Sequence, residues 1–317
     1  LRFLDTLLGD KPALTQAELF YQRMLVGDPV ETAAQIENFS SKGGLLDYYD
    51  DVAIAGLRLA QHDVDRSMLD GARVRRVRAT VEDLFAGLGE EIAAERNAGA
   101  DKAAEVAAAE TPRQRADVVA AIAAEKSPAA AKARDAGKAG EGEDAGGRGL
   151  VKLHADDLAA DWRGEAPVLV IGGRTQLDEA AAIPLADALT RSGVGARHLP
   201  SETLRGMGAT PMPSDGVRMI ILSFLDDSSE PAMRFAARRV KVKAPNARIV
   251  LGVWADPDET IDRDRLKAST KVDFVATSAR EAHQYVTLSA VTGAALDDLD
   301  ADLAKYAAPA APQAAAS

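Results

Sequence analysis

Residues 168–178 read VLVIGGRTQLD: an apolar run, two glycines, a basic residue, a threonine and, three positions later, an acid. A continuous apolar run this short suits a strand buried on both faces of a parallel sheet. The glycines allow a tight turn and the residues after them read as helix, so the stretch is a strand-to-helix junction of an α/β protein. Outward from it the alternation continues. DEAAAIPLADALTRSG is helical, GARHLP is a short strand, and VRMIILSFL (217–225) is the strongest strand signal in the chain. EPAMRFAARRVKVKAP reads as helix, RIVLGVWA (248–255) as strand, VDFVAT as the last strand and SAREAHQYV as the closing helix. This rhythm implies right-handed crossovers and a doubly wound, five-stranded parallel, Rossmann-like sheet. Pro184, inside its helix, is expected to kink it or shift its start.

Ahead of the sheet the period changes to that of helices. In TQAELFYQRMLVGDP, Leu19, Phe20, Met24 and Leu25 share one face, Thr15 and Glu18 form a capping box, and Gly27 supplies a stop. A second helix follows Asp28 and Pro29 to about Ser41, and the Gly43-Gly44 pair breaks the chain. A third carries Leu46, Tyr49, Val52 or Ala53, Leu57 and Ala60 as its buried stripe; a fourth, from near Asp70, carries Val74, Val77, Val81, Leu84 and Leu88. Four amphipathic helices on short connections favour an antiparallel bundle. The organisation read from the sequence is a helical bundle (1–96), an Ala/Gly-rich flexible linker (97–149), the α/β domain (150–303) and a disordered tail (304–317). Within the linker one marginal helix, about 113–126, has Val118, Val119 and Ile122 as its apolar residues.

Composition limits the function. The 317 residues contain no cysteine, so disulfides, thiolate nucleophiles and Cys-based metal sites are excluded. A net charge of -11 argues against a nucleic-acid partner, whose phosphates require a basic surface. No run approaches the roughly 20 apolar residues that span a bilayer. No Ser-His-Asp arrangement, P-loop or complete Gly-x-Gly-x-x-Gly is present.

The candidate ligand site is the carboxyl edge of the sheet. Gly172 and Gly173 let a ligand approach the backbone at a helix N-terminus, with Arg174 and Thr175 beside it. Equally, the glycines make a tight turn, and Asp178 and Glu179 in the first helical turn repel a phosphate while capping the helix. Ser223, Asp226 and Asp227 end the third strand, and Asp256 and Asp258 follow the fourth. These carboxylates read either as a rim for an oxygen-ligated cation or as solvated loop caps. Trp254 reads as a stacking surface or as core. Arg238, Arg239, Lys241 and Lys243 form a basic patch, a solvated helix face or a juxtamembrane one.

A helical unit joined to a doubly wound sheet resembles corrinoid-binding modules. LVGDPVETAAQ resembles their Gly-Asp turn, YYDDVAIAGLRLAQHD the helix of their cap, Ser223-Phe224-Leu225 their Ser-x-Leu motif, and VDFVATSAREAHQYV their closing strand and helix. That family ligates cobalt through the histidine of a D-x-H-x-x-G loop after the first strand; here the loop is GGRTQLD, and the four histidines, His62, His154, His198 and His283, lie elsewhere. No cofactor is therefore expected. FLDTLLGDKPALTQAELFYQRMLVGDP, LLDYYDDVAIAGLRLAQ and VLVIGGRTQLDEAAAIPLADAL are similar to the soluble C-terminal region of permeases of the autoinducer-2 exporter (PerM-like) family. This resemblance implies a non-enzymatic regulatory or assembly module at the cytoplasmic face of the bacterial inner membrane. Its partner would be a membrane-embedded permease segment preceding Leu1, homo-oligomeric assembly being compatible with this. A small-molecule sensor using the carboxyl edge, with a nucleotide or corrinoid-like ligand, is the alternative.

Overall fold

The computed structural model describes residues 14–41, 44–107, 115–124, 150–205, 212–226, 229–256 and 259–307. Helix α1 (Gln16–Val26) starts on a capping box in which Thr15 Oγ1 accepts the Glu18 N–H and Glu18 accepts the Thr15 N–H, and it stops where Gly27 turns left-handed at φ 87°. Helix α2 is Val30–Ser41. In α3, Leu45–Tyr48 runs through a π-helical turn, Tyr49–Ile54, into Ala55–Asp65. Helix α4 (Gly71–Ala107) begins after Asp70, whose carboxylate accepts the Arg73 N–H at 2.9 Å. Most of the expected stripe residues are inside: Phe20, Met24, Tyr49, Leu57, Val77, Val81 and Leu84 are buried, whereas Leu19, Leu25 and Val74 are only partly so.

The α/β part contains β1 (Val168–Gly172), α6 (Gln176–Arg191), β2 (Ala196–Leu199), β3 (Met219–Phe224), α7 (Glu230–Lys243), β4 (Arg248–Val253), α8 (Arg263–Thr270), β5 (Phe274–Ala276) and α9 (Ala279–Thr292). Helix α5 (Arg115–Ala124) precedes it and α10 (Leu299–Ala307) follows. All five strands are parallel, in the order β2-β1-β3-β4-β5. The chain is thus an α/β protein built on a five-stranded parallel sheet. Chain direction across the sheet reverses between β1 and β3.

Because side chains alternate along a strand, each strand serves two cores. Val168, Val170, Met219 and Ile221 point to the face covered by α6, α9 and the N-terminal helices. Leu169, Ile171, Ile220 and Leu222 point to the face covered by α7 and α8. The first of these cores is continuous with that of the N-terminal helices, since Phe20, Val81, Leu185 and Val170 belong to one apolar cluster. Tyr49 Oη donates to Asp187 Oδ2 at 2.5 Å, and Arg78 Nε lies 3.0 Å from Glu179 Oε2 without hydrogen-bond alignment. The segments read as two domains are therefore packed through a shared core rather than held only by a tether.

Two expectations require correction, and one is met. Helix α4 continues past residue 97 to Ala107, into the stretch read as flexible linker, while the short helix expected at about 113–126 is present as α5. Val118, Val119 and Ile122 are buried in the common core, which offsets the ordering entropy that the alanine-rich flanks cannot; residues 125–149 lie outside the described residues. Residues 304–307 of the stretch read as a disordered tail are helical, since Leu299 and Leu303 of the same helix are buried; residues 308–317 lie outside the described residues. Pro184 lies within α6 without shifting its start at Gln176. The break at Gly43 falls outside the described residues.

Candidate functional site

The β1–α6 junction explains its own glycines. A Cβ on Gly172 would stand 2.6 Å from the Glu179 Cα, and one on Gly173 would stand 2.3 Å from the Phe224 ring. Both positions need the missing side chain because the first turn of α6 and the end of β3 close onto the loop. Gly173 N–H donates to Ser223 O at 2.8 Å, extending the β1–β3 ladder past its last strand residue.

The loop amides point inward, in the way that elsewhere favours an anion. Here they hold the protein's own carboxylate. Asp178 Oδ2 accepts the N–H groups of Arg174 at 3.0 Å and Thr175 at 2.8 Å, and Oδ1 accepts that of Leu225 at 2.9 Å. Thr175 Oγ1 returns the capping box by accepting the Asp178 N–H at 3.0 Å. Burial pushes the Asp178 carboxyl above its ordinary range, against the lowering effect of these donors. The neighbouring Glu179 Oε1 accepts from Ser201 N at 2.9 Å and Ser201 Oγ at 2.7 Å.

Ser223 and Trp254 come together behind this loop. Trp254 Nε1 donates to Ser223 Oγ at 2.7 Å, and Ser223 Oγ donates to the Asp178 carbonyl at 3.1 Å. Ser223 is wholly buried and Trp254 is 1% exposed, so neither presents a face to solvent. The indole folds over Gly252, where a Cβ would lie 2.3 Å from a ring carbon. Of the residues read as a ligand rim, Gly172, Gly173, Thr175, Ser223 and Trp254 thus gather into a packed plug. Arg174 is exposed beside it, and Asp226 is partly buried at the end of β3. Asp227 and Asp258 fall outside the described residues. Among the described residues no three His, Asp or Glu side chains converge as metal ligands.

The open space lies further along the same edge. A cavity of about 870 Å³ sits at the carboxyl ends of β4 and β5, walled by α3, α8, the start of α9 and the segment before α10. Ten Asp and Glu side chains line it, against Arg58, Arg263, Lys267 and Arg280. Two of its polar contacts join the N-terminal helices to the α/β part. Arg58 Nη1 donates to the Ala255 carbonyl at 2.7 Å, and Arg280 pairs with Asp47. A third involves the π-helical turn: Asp50 Oδ1 accepts the Ala279 N–H at 2.6 Å and Oδ2 the Arg280 N–H at 3.1 Å, so a carboxylate from α3 seals the N-terminus of α9. Burial raises the Asp50 carboxyl to about 6, with nearby Asp51 adding to the effect and Arg280 opposing it.

Sequence reading missed Asp50, Arg280 and Gly252 as site residues. The pattern YYDD offered no signal for Asp50, because its partners are 229 and 230 positions away.

No family model, no curated protein and no solved structure matches this chain. Among the described residues no helix is long and apolar enough to cross a membrane.

Proposed function

We propose that this chain is a non-enzymatic regulatory or assembly module of a membrane permease, in which a four-helix bundle caps a Rossmann-like sheet as a degenerate relative of the corrinoid-module plan. One observation carries the reading: the anion positions of the sheet edge are filled by the protein's own carboxylates. Asp178 takes the amides of the β1–α6 loop, and Asp50 takes those at the start of α9. Helix N-termini plugged in this way are suited to rigid assembly. The helical cap is clamped to it by Tyr49–Asp187 and Arg280–Asp47. The resemblance to the permease family supplies the partner, a membrane-embedded segment of the same gene product, and the inner face of the bacterial inner membrane as location.

The test is fractionation of the full-length gene product. Recovery in the membrane pellet, resistant to carbonate washing, is expected. A full-length product that stays in the supernatant overturns the permease reading.

A second reading, a small-molecule sensor, is favoured by the cavity of about 870 Å³, a volume in the range of ligand sites. Its acidic lining disfavours nucleotides, whose phosphates it repels. A thermal-shift panel of nucleotides, corrinoids, divalent cations and organic cations separates the readings. A ligand at a hundred times its dissociation constant adds about 2.7 kcal/mol of stability, and a saturable shift abolished by Asp256→Asn would favour the sensor.

A further inference from the structure

Helix α7 departs from the chemistry of the rest of the chain. Its inner side, Met233, Ala236, Ala237 and Val240, is buried against the sheet. At 3.6 residues per turn, Phe235 and Val242 lie two turns apart on the opposite side. They are 57% and 79% exposed, among the most exposed large apolar side chains described. Basic residues border this apolar line on both sides, Arg234 and Lys241 along one margin and Arg239 and Lys243 along the other, with Arg238 between Phe235 and Val242. In a chain of net charge -11, the sequence of this helix holds five basic residues against the single acid Glu230.

Three of the basic side chains are bonded to backbone carbonyls, which leaves their charge intact, and not to acids. Arg239 Nε donates to the Leu204 carbonyl at 2.9 Å, Lys243 Nζ to Thr203 O at 2.5 Å and Lys241 Nζ to Lys271 O at 2.5 Å. Only Arg234 in α7 has an ion pair among the described residues, with Glu230 at 3.3 Å. The Arg239 guanidinium also stands 6.0 Å from the Phe235 ring centroid.

We propose that the outer face of α7 docks on an anionic lipid bilayer, with Phe235 and Val242 entering the interface and the flanking Arg and Lys side chains meeting the headgroups. Charge complementarity selects the partner class, since the face is basic on an acidic protein. The two apolar side chains select a bilayer over a nucleic acid, whose phosphate backbone offers Val242 nothing. A helix lying flat in the interface, with apolar residues on one side and Lys and Arg beside them, is the general form of such contacts. Two apolar side chains together with the flanking charges give weak, reversible binding. The proposal does not rest on the permease reading and fails independently of it.

The test is co-sedimentation of the chain, at low salt, with vesicles of phosphatidylcholine alone or mixed with phosphatidylglycerol. Binding to the anionic vesicles, lost at high salt, is expected, with none to phosphatidylcholine. Each positive charge removed should weaken partitioning about fivefold, so Arg238→Gln combined with Lys241→Gln should cost about 25-fold. Phe235→Ser with Val242→Ser should weaken binding while leaving thermal stability unchanged, because neither side chain is in the core. A Phe235→Trp variant should blue-shift its emission on anionic vesicles only. Equal binding to both vesicle types, insensitivity to the serine pair, or duplex DNA competing regardless of the serine pair would each overturn the proposal.

Discussion

Asp50 and Ala279 are joined by a 2.6 Å hydrogen bond from the Ala279 N–H to Asp50 Oδ1, across 229 positions of the chain. The bond places an α3 carboxylate at the N-terminus of α9, where the first amides have no acceptor within the helix and the macrodipole favours negative charge. The π-helical turn Tyr49–Ile54 is the local device: an extra residue in the turn re-aims the side chains that follow.

This contact makes stability depend on pH in a defined direction. The Asp50 carboxyl titrates at about 6 in the folded chain, above its ordinary value of 3.8, because it is desolvated. The folded state therefore binds this proton more tightly than the unfolded state. The contribution is complete below about pH 4 and is lost as pH rises through about 6. Asp50→Asn cannot titrate. The stability of the native chain relative to this variant, measured by urea midpoints, should rise between about pH 7 and about pH 5. A difference that stays flat across that interval would show that the carboxyl titrates normally.

The plug behind the β1–α6 loop should behave as one unit. Ser223→Ala removes the acceptor of the buried Trp254 Nε1 and should cost about 1–3 kcal/mol, the usual penalty for stranding a buried donor. Trp254→Phe removes the donor as well as some packing. In the double variant the two losses should sum to less than the separate values, because the stranded N–H is gone. Chemical denaturation of the four species measures the coupling; strict additivity would mean the hydrogen bond contributes nothing.

The two loop glycines should fail differently. Gly173→Ala meets the Phe224 side chain, so it should cost about 1–3 kcal/mol through overpacking and be partly rescued by Phe224→Leu. Gly172→Ala meets the Glu179 backbone at 2.6–2.7 Å, which no side-chain change relieves. Thermal unfolding of Gly172→Ala with and without Phe224→Leu should show no rescue, and rescue there would contradict the packing described.

Corrinoid should not bind. The first loop has no histidine, two of its amides are occupied by Asp178, and Leu177 beside it is 1% exposed, packed into the core. Gel filtration of the chain with micromolar hydroxocobalamin should give colourless protein. Co-elution of the visible absorption at one corrinoid per chain would revive the sensor reading.

Local chemistry made much of the architecture legible. The β-strands at Val168–Gly172 and Met219–Phe224 are apolar except for Ser223, as strands buried on both faces must largely be, and their burial follows from composition. The caps at Thr15, Gly27 and Thr175 involve partners within four residues, so they too can be read from sequence. Helix α8, RDRLKAST, passed unnoticed because Leu266 is its only buried large apolar residue; packing against α7 and β5 holds it, not its own period. Helix α5 looked marginal because Val118, Val119 and Ile122 have value only once α9 and α10 are beside them. The functional reading turned on the same distinction. The sequence placed glycines, a serine, acids and a tryptophan at the carboxyl edge of the sheet, but whether these lined an opening or filled one depended on side-chain direction. Tertiary structure decided it: Asp178 turns back onto its own loop, Trp254 folds over Gly252 onto Ser223, and Asp50 arrives from a helix more than 200 positions away. Local propensity acts over a few residues, while a buried amide takes whichever acceptor the packed chain brings to it.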